Sequence, residues 1–119
     1  MDYPTNTQHV RKTTYTFASP ALDAVSERIA MLCRDKEFIS AAFSYRVPQE
    51  GDDNNIVTSV EEKTFTHIGC APDIDGPIFT PRDRHWEVTY LDEYETVHRA
   101  YIPYTTYVDV EIASLIETA

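Results

Sequence analysis

The chain has 119 residues, a formal net charge of -10, 42% hydrophobic and 12% aromatic residues. That length buries roughly two-thirds of the unfolded surface, enough for one core and too little for two. Fourteen aromatic residues (eight Tyr, five Phe, one Trp) are more than a disordered acidic tail carries. The apolar runs are far shorter than the roughly 18–20 residues that span a bilayer, and the opening MDYPTNTQHVRKTTY lacks the apolar stretch of a signal peptide, so a protein that neither crosses a membrane nor is secreted by that route is expected.

Residues 1–12 are polar and aperiodic and read as an N-terminal arm, leaving 13–119 as one α+β domain. Thr13 to Ala18 alternates, with Tyr15 and Phe17 on one side, and predicts a first strand. Ser19 is an N-cap candidate, Pro20 suits the first helical position and Asp23 the first turn. Leu22, Val25, Ile29, Leu32 and Cys33 then recur at three- and four-residue spacing and predict a helix over about 20–34. Phe38 to Val47 reads as a strand, Pro48 to Asn55 as an acidic turn and Val57 to Ile68 as a further strand. Gly69 to Arg84, with three prolines, reads as a long ordered loop of the kind that is often functional.

The rest is a meander. His85 to Leu91 points Trp86, Val88 and Tyr90 inward, Asp92 to Glu95 turns, Thr96 to Ile102 returns, and Tyr104 to Ile112 follows; Ala113 to Ala119 extends that strand or adds a helical turn. The expected architecture is one α-helix packed on a curved, mainly antiparallel sheet of five to six strands, in the order β-α-β-β-β-β-β. In outline this resembles the cystatin-like one-helix, one-sheet folds. The protease-binding glycine motif of true cystatins is absent, so that resemblance implies a fold and no function.

Chemistry-bearing clusters are sparse. His67, Cys70, Asp73, Asp75 and His85 lie in one stretch, but their spacing matches no zinc finger or ribbon, and DIDG places its glycine too early for a calcium loop. Two cysteines, Cys33 and Cys70, are too few for a disulfide scaffold; free thiols and a cytoplasmic location, the host's if the protein is viral, are expected. Cys33 falls on the buried helical stripe, and Cys70 has acidic neighbours that raise a thiol pKa. No nucleophile elbow, phosphate loop or dinucleotide fingerprint is present. Glu61 and Glu62 point to opposite faces of a strand and share no pocket. A small-ligand cup near Trp86, His98 and Tyr101 is one alternative, with core packing the simpler use of Trp86. No catalytic residue, metal or cofactor is assigned.

The charge is lopsided. Residues 1–49 carry five acids and six bases, a net +1, whereas residues 50–119 carry fifteen acids and four bases, a net -11. Such a balance disfavours direct binding to nucleic acid or to an anionic membrane, both of which need a basic footprint. It points to a basic protein surface. Glu87, Asp109 and Glu111 take the outward parity of their strands, while Asp52, Asp53, Asp92, Glu93 and Glu95 sit at loop tips, and Tyr94 and Tyr107 are candidate anchors. In size, charge and lack of an enzyme motif the chain resembles small phage-encoded inhibitors that imitate DNA, several anti-CRISPR proteins among them. That resemblance implies a non-enzymatic inhibitor docking through an acidic sheet face on a nucleic-acid-binding protein. A structural or assembly subunit, as of a virion, and self-association as a homodimer are the other open readings.

Overall fold

A computed structural model describes residues 8–50, 57–70 and 76–117, with side chains for 9–48, 60–70 and 76–115. The elements are β1 (Gln8–Ala18), a 3-10 turn (Ser19–Ala21), α1 (Asp23–Arg34), β2 (Phe38–Glu50), β3 (Val57–Ile68), β4 (Ile78–Pro81), β5 (His85–Leu91), β6 (Val97–Pro103) and β7 (Tyr107–Glu117). The fold is α+β, one helix with two antiparallel sheets ordered β1-β7-β2-β3 and β4-β5-β6.

The described residues thus hold seven strands in two sheets, and the expected single sheet of five to six strands is corrected. Alternation fixes which side of a strand is apolar and leaves its neighbours open. Here β5 and β6 pair with each other and with β4, whereas β7 crosses back to lie between β1 and β2. β4 is a proline-bounded segment inside the stretch read as a loop.

The inner faces of both sheets enclose one core with α1. The helix contributes Val25, Ile29 and Leu32 beside Leu22; β2 contributes Ala41, Phe43 and Tyr45; β7 contributes Val108, Val110 and Ile112; and the smaller sheet contributes Trp86, Val88 and Ile102. Each large apolar side chain buried in this way stabilises the fold by about 1.5–3 kcal/mol. Aromatic rings join the layers: Phe43 stacks on Phe65 at 4.8 Å and meets Phe79 edge-on at 5.9 Å, and Phe79 in turn meets Trp86 at 6.0 Å.

Several boundaries move. β1 begins at Gln8, so residues 8–12, expected in the arm, pair with β7 from Gln8↔Glu117 to Lys12↔Ala113, while residues 1–7 lie outside the described residues. β2 runs through Pro48 to Glu50 before the expected acidic turn, whose tip, with Asp52 and Asp53, is also outside. The last strand continues to Glu117, giving the strand extension and no helical turn.

Ser19 is not an N-cap. The α-helix starts at Asp23, capped by Leu22 without a side-chain hydrogen bond, and Pro20 lies in the preceding 3-10 turn. Tertiary bonds hold Ser19 inside: its N–H donates to the Thr106 carbonyl at 3.0 Å, and its own carbonyl accepts the Trp86 Nε1–H at 2.7 Å.

The thiols are not free. Cys33, in the last turn of α1, is bridged to Cys70 just after β3, with Cα atoms 5.9 Å apart, a normal disulfide separation. The Gly69 N–H donates to the Ile39 carbonyl at 2.9 Å and brings Cys70 alongside the helix end. Further along the same connection Gly76 adopts φ +139°, where a Cβ would lie 2.8 Å from Ile29 Cγ2, so only glycine lets the chain cross the helix there. The Ser26 hydroxyl then donates to the Pro77 carbonyl at 3.3 Å.

Candidate protein-docking surface

The His67, Cys70, Asp73 and His85 set does not form a site. Cys70 is in the bridge, Asp73 and Asp75 lie outside the described residues, and no metal-competent group of three His, Cys, Asp or Glu occurs among the described residues. His67 is fully buried with both ring nitrogens used: Nε2–H donates to the Gly69 carbonyl at 3.0 Å and Nδ1 accepts the Leu91 N–H at 3.1 Å. It ties β3 of one sheet to the end of β5 in the other. Burial lowers its pKa, only partly opposed by the bond to Gly69, so the ring stays neutral in this tautomer. His85 donates from Nδ1 to the Asp83 carbonyl at 3.0 Å and lies edge-on to Tyr101 at 5.3 Å.

The cup expected near Trp86, His98 and Tyr101 is filled. Trp86 packs edge-on against Phe79 and Tyr104 in the core, Tyr101 takes the outer parity of β6, and His98 stacks on Tyr90 at 5.3 Å.

The acids expected on one face are divided. Asp109 and Glu111 occupy the outer face of the four-stranded sheet among small polar neighbours: Thr14 and Ala42 flank Glu111, Thr16 and Ser44 flank Asp109, and Thr16 Oγ1 donates to Asp109 Oδ1 at 2.7 Å. A shallow groove of about 380 Å³ on this face is lined by Ser44, Arg46, Glu62, Thr106, Tyr107 and Asp109, with Tyr107 70% exposed. Glu87 belongs to the other sheet and faces the opposite side of the molecule. Arg82 donates to it from a guanidinium nitrogen at 3.0 Å; that bond, with the nearby charges of Arg82, Arg99 and His85, holds its carboxyl below the usual range. Parity locates a residue on a strand, and the pairing of strands decides which residues share a face.

The β5–β6 turn gathers the remaining group. Asp92 Oδ1 accepts the backbone N–H of Tyr94 at 2.8 Å and of Thr96 at 2.9 Å, and Oδ2 accepts His98 Nε2–H at 2.9 Å. The His98 bond first, then those backbone donors, depress the Asp92 carboxyl. The Asp92 N–H donates to the Thr96 carbonyl at 3.1 Å, the Glu95 N–H to the Asp92 carbonyl at 3.0 Å, and Glu95 sits at φ +60°. Asp92 therefore builds the turn. Glu93, Tyr94 and Glu95 stand exposed at its tip, Tyr94 at 79%, with neither glutamate in an ion pair among the described residues.

Sequence reading gave two buried side chains other roles, His67 as a candidate metal ligand and Ser19 as an N-cap, and passed over the buried Tyr45 ring. The signal that could have placed His67 was its inward parity, two residues from Phe65 on the same strand.

No helix among the described residues is long and apolar enough to cross a membrane. Comparison with protein-family models, with curated proteins and with solved structures finds no match.

Proposed function

We propose that the protein is a non-enzymatic binding protein that docks on a basic surface of another protein, of the kind that binds nucleic acid, and inhibits by occupying it. The observation that supports this is the β5–β6 tip. Asp92 spends both carboxylate oxygens on fixing the turn, so Glu93, Tyr94 and Glu95 are presented on a preorganised loop. Preorganisation lowers the ordering cost of association, and an exposed tyrosine between two carboxylates suits a cationic pocket with an apolar wall. Asp109, Glu111 and Tyr107 on the far side of the core form a second, separate acidic area.

An oligo-arginine peptide is a minimal probe of this reading. Titrated into isotope-labelled protein, it is expected to move the amide resonances of residues 92–98 first, to lose affinity steeply with salt, and to bind more weakly to Glu93→Lys and Tyr94→Ala. Shifts spread evenly over the helix, Asp109 and Glu111 would reject the tip as the docking element.

A second reading, an assembly subunit, is favoured by the Cys33–Cys70 bridge. Disulfides persist on virion surfaces and in other oxidising settings, and the cytoplasmic expectation rested on free thiols.

A further inference from the structure

A cleft opens where the free edge of β6 faces the projecting part of the β2–β3 hairpin. It encloses about 340 Å³ and is lined by Tyr45, Val47, Lys63, Thr64, Phe65, Tyr90, Arg99, Ala100 and Tyr101, within the size range of small-ligand sites. Its floor is aromatic: Phe65 stacks on Tyr90 at 4.5 Å, and Tyr45 meets Phe65 edge-on at 6.0 Å. Lys63 lies directly across the ladder from Tyr45, and Arg99 comes from the other sheet.

Two features make the cleft unlike the surrounding surface. Residues 50–119 contain only four cations, and two of them, Lys63 and Arg99, line this cleft, Arg99 from the outer parity of β6, where its charge also acts on Glu87. Arg82 is spent on Glu87 at 3.0 Å, whereas the contact of Lys63 with Glu61 is long, at 3.9 Å, and half exposed. Tyr45 is the second feature. It is only 5% exposed, and its hydroxyl, which makes no hydrogen bond among the described residues, is open to solvent. Burial pushes its phenol up, with Tyr90 adding to the effect, so it remains a protonated donor at neutral pH. A solvated phenol at the rim of an aromatic cleft can exchange its water for a bound acceptor at little net cost.

We propose that this cleft binds a small aromatic ligand carrying one anionic group, such as an aryl phosphate or aryl carboxylate, with the ring against Phe65 and Tyr90 and the anion between Lys63, Arg99 and the Tyr45 hydroxyl. The ring faces of Phe65 and Tyr90 are occupied by each other, by Phe43 and by His98, so the floor offers ring edges for edge-to-face contact, while the two cations and the phenol donor supply charge-assisted hydrogen bonds. The site is independent of the β5–β6 tip and stands if the docking reading fails.

Phenyl phosphate is the probe. Titrated into the full isotope-labelled chain, it is expected to give saturable shifts confined to residues 45–47, 63–65 and 99–101. Lys63→Ala and Arg99→Ala each weaken binding about tenfold, as loss of a charge-assisted bond does, and Tyr45→Phe weakens it with the spectrum otherwise unchanged. Arg82→Ala, outside the cleft, leaves affinity unchanged. Absence of saturation with phenyl phosphate in the millimolar range, or an equal loss on Arg82→Ala, overturns the site. Inorganic phosphate binding as tightly as phenyl phosphate overturns the aromatic half of the assignment.

Discussion

The Ser19 hydroxyl is buried without a hydrogen-bond partner, although both backbone groups of the same residue are engaged. The backbone contacts explain why the residue is inside, and no group among the described residues uses the oxygen. Ser19→Ala is therefore expected to keep the fold and raise stability by about 1 kcal/mol, since burying an unpaired hydroxyl costs about that much. Chemical denaturation of the two proteins checks it. His67 behaves in the opposite way, with every polar atom in use. A proton on Nδ1 would face the Leu91 N–H, donor against donor, and break the link between the sheets. Because its folded pKa lies below the ordinary 6.5, the unfolded chain takes up the proton first. The His67 contribution is complete above about pH 6.5 and falls as pH drops below it, by up to about 1.4 kcal/mol per pH unit. Unfolding midpoints at pH 7 and pH 5 should diverge for the wild type and converge for His67→Gln, which starts less stable. Asp92, with a depressed carboxyl, adds a second acid limb that begins below its unfolded value of 3.8.

Between the helix and the smaller sheet the chain is held by a covalent bond and a close approach. The Cys33–Cys70 bridge closes a loop with a sequence separation of 37, for which chain entropy alone predicts roughly 4 kcal/mol, an upper value. Replacing both cysteines by serine should lower the melting temperature markedly and leave the His67–Leu91 link between β3 and β5 in place. Unchanged melting would mean that the bridge does not constrain the unfolded chain. Gly76→Ala should be costly as well, because it combines a φ of +139° with a methyl group pressed on Ile29; a loss of roughly 1–3 kcal/mol in denaturation is expected. Elements of this kind mark the limit of sequence reading. β3 and β5 were legible to the residue, because Val57 to Ile68 and His85 to Leu91 alternate cleanly or carry strand-forming residues throughout. The polar start of β1 was not, since residues 8–12 owe their extended form to β7, about a hundred positions away in sequence. The bridge was invisible for the same reason. Two cysteines in a helix end and a loop reveal nothing until the strands bring them within reach.

At the scale of the whole molecule, the two sheets give a body longer than a compact sphere. The radius of gyration over Cα atoms is 16.9 Å, against about 13–14 Å expected for a compact chain of this length. The hairpin of β2 and β3 runs past the start of β7 at Tyr107, and the β1–β7 ribbon runs past the start of β2 at Phe38, which lengthens the larger sheet at both ends. Small-angle scattering should return a radius well above the compact value, and a value near 14 Å would show that the two extensions fold back. The sequence's lopsided charge gains a location from this layout. The carboxylates of residues 50–119 are divided among the β5–β6 tip, both sheets, the β4–β5 turn and residues outside the described set, so the candidate docking tip was legible as a turn and the single acidic face was not. The order β1-β7-β2-β3 also governs timing. β7 is the common neighbour of the first two strands, so a chain emerging from the ribosome can pair β2 with β3 and complete the β4-β5-β6 meander while β1 still lacks β7, its one partner among the described residues. Closing the larger sheet requires residues 107–117, so for as long as they are missing a basic, threonine-rich strand presents an edge that any other extended chain could pair with.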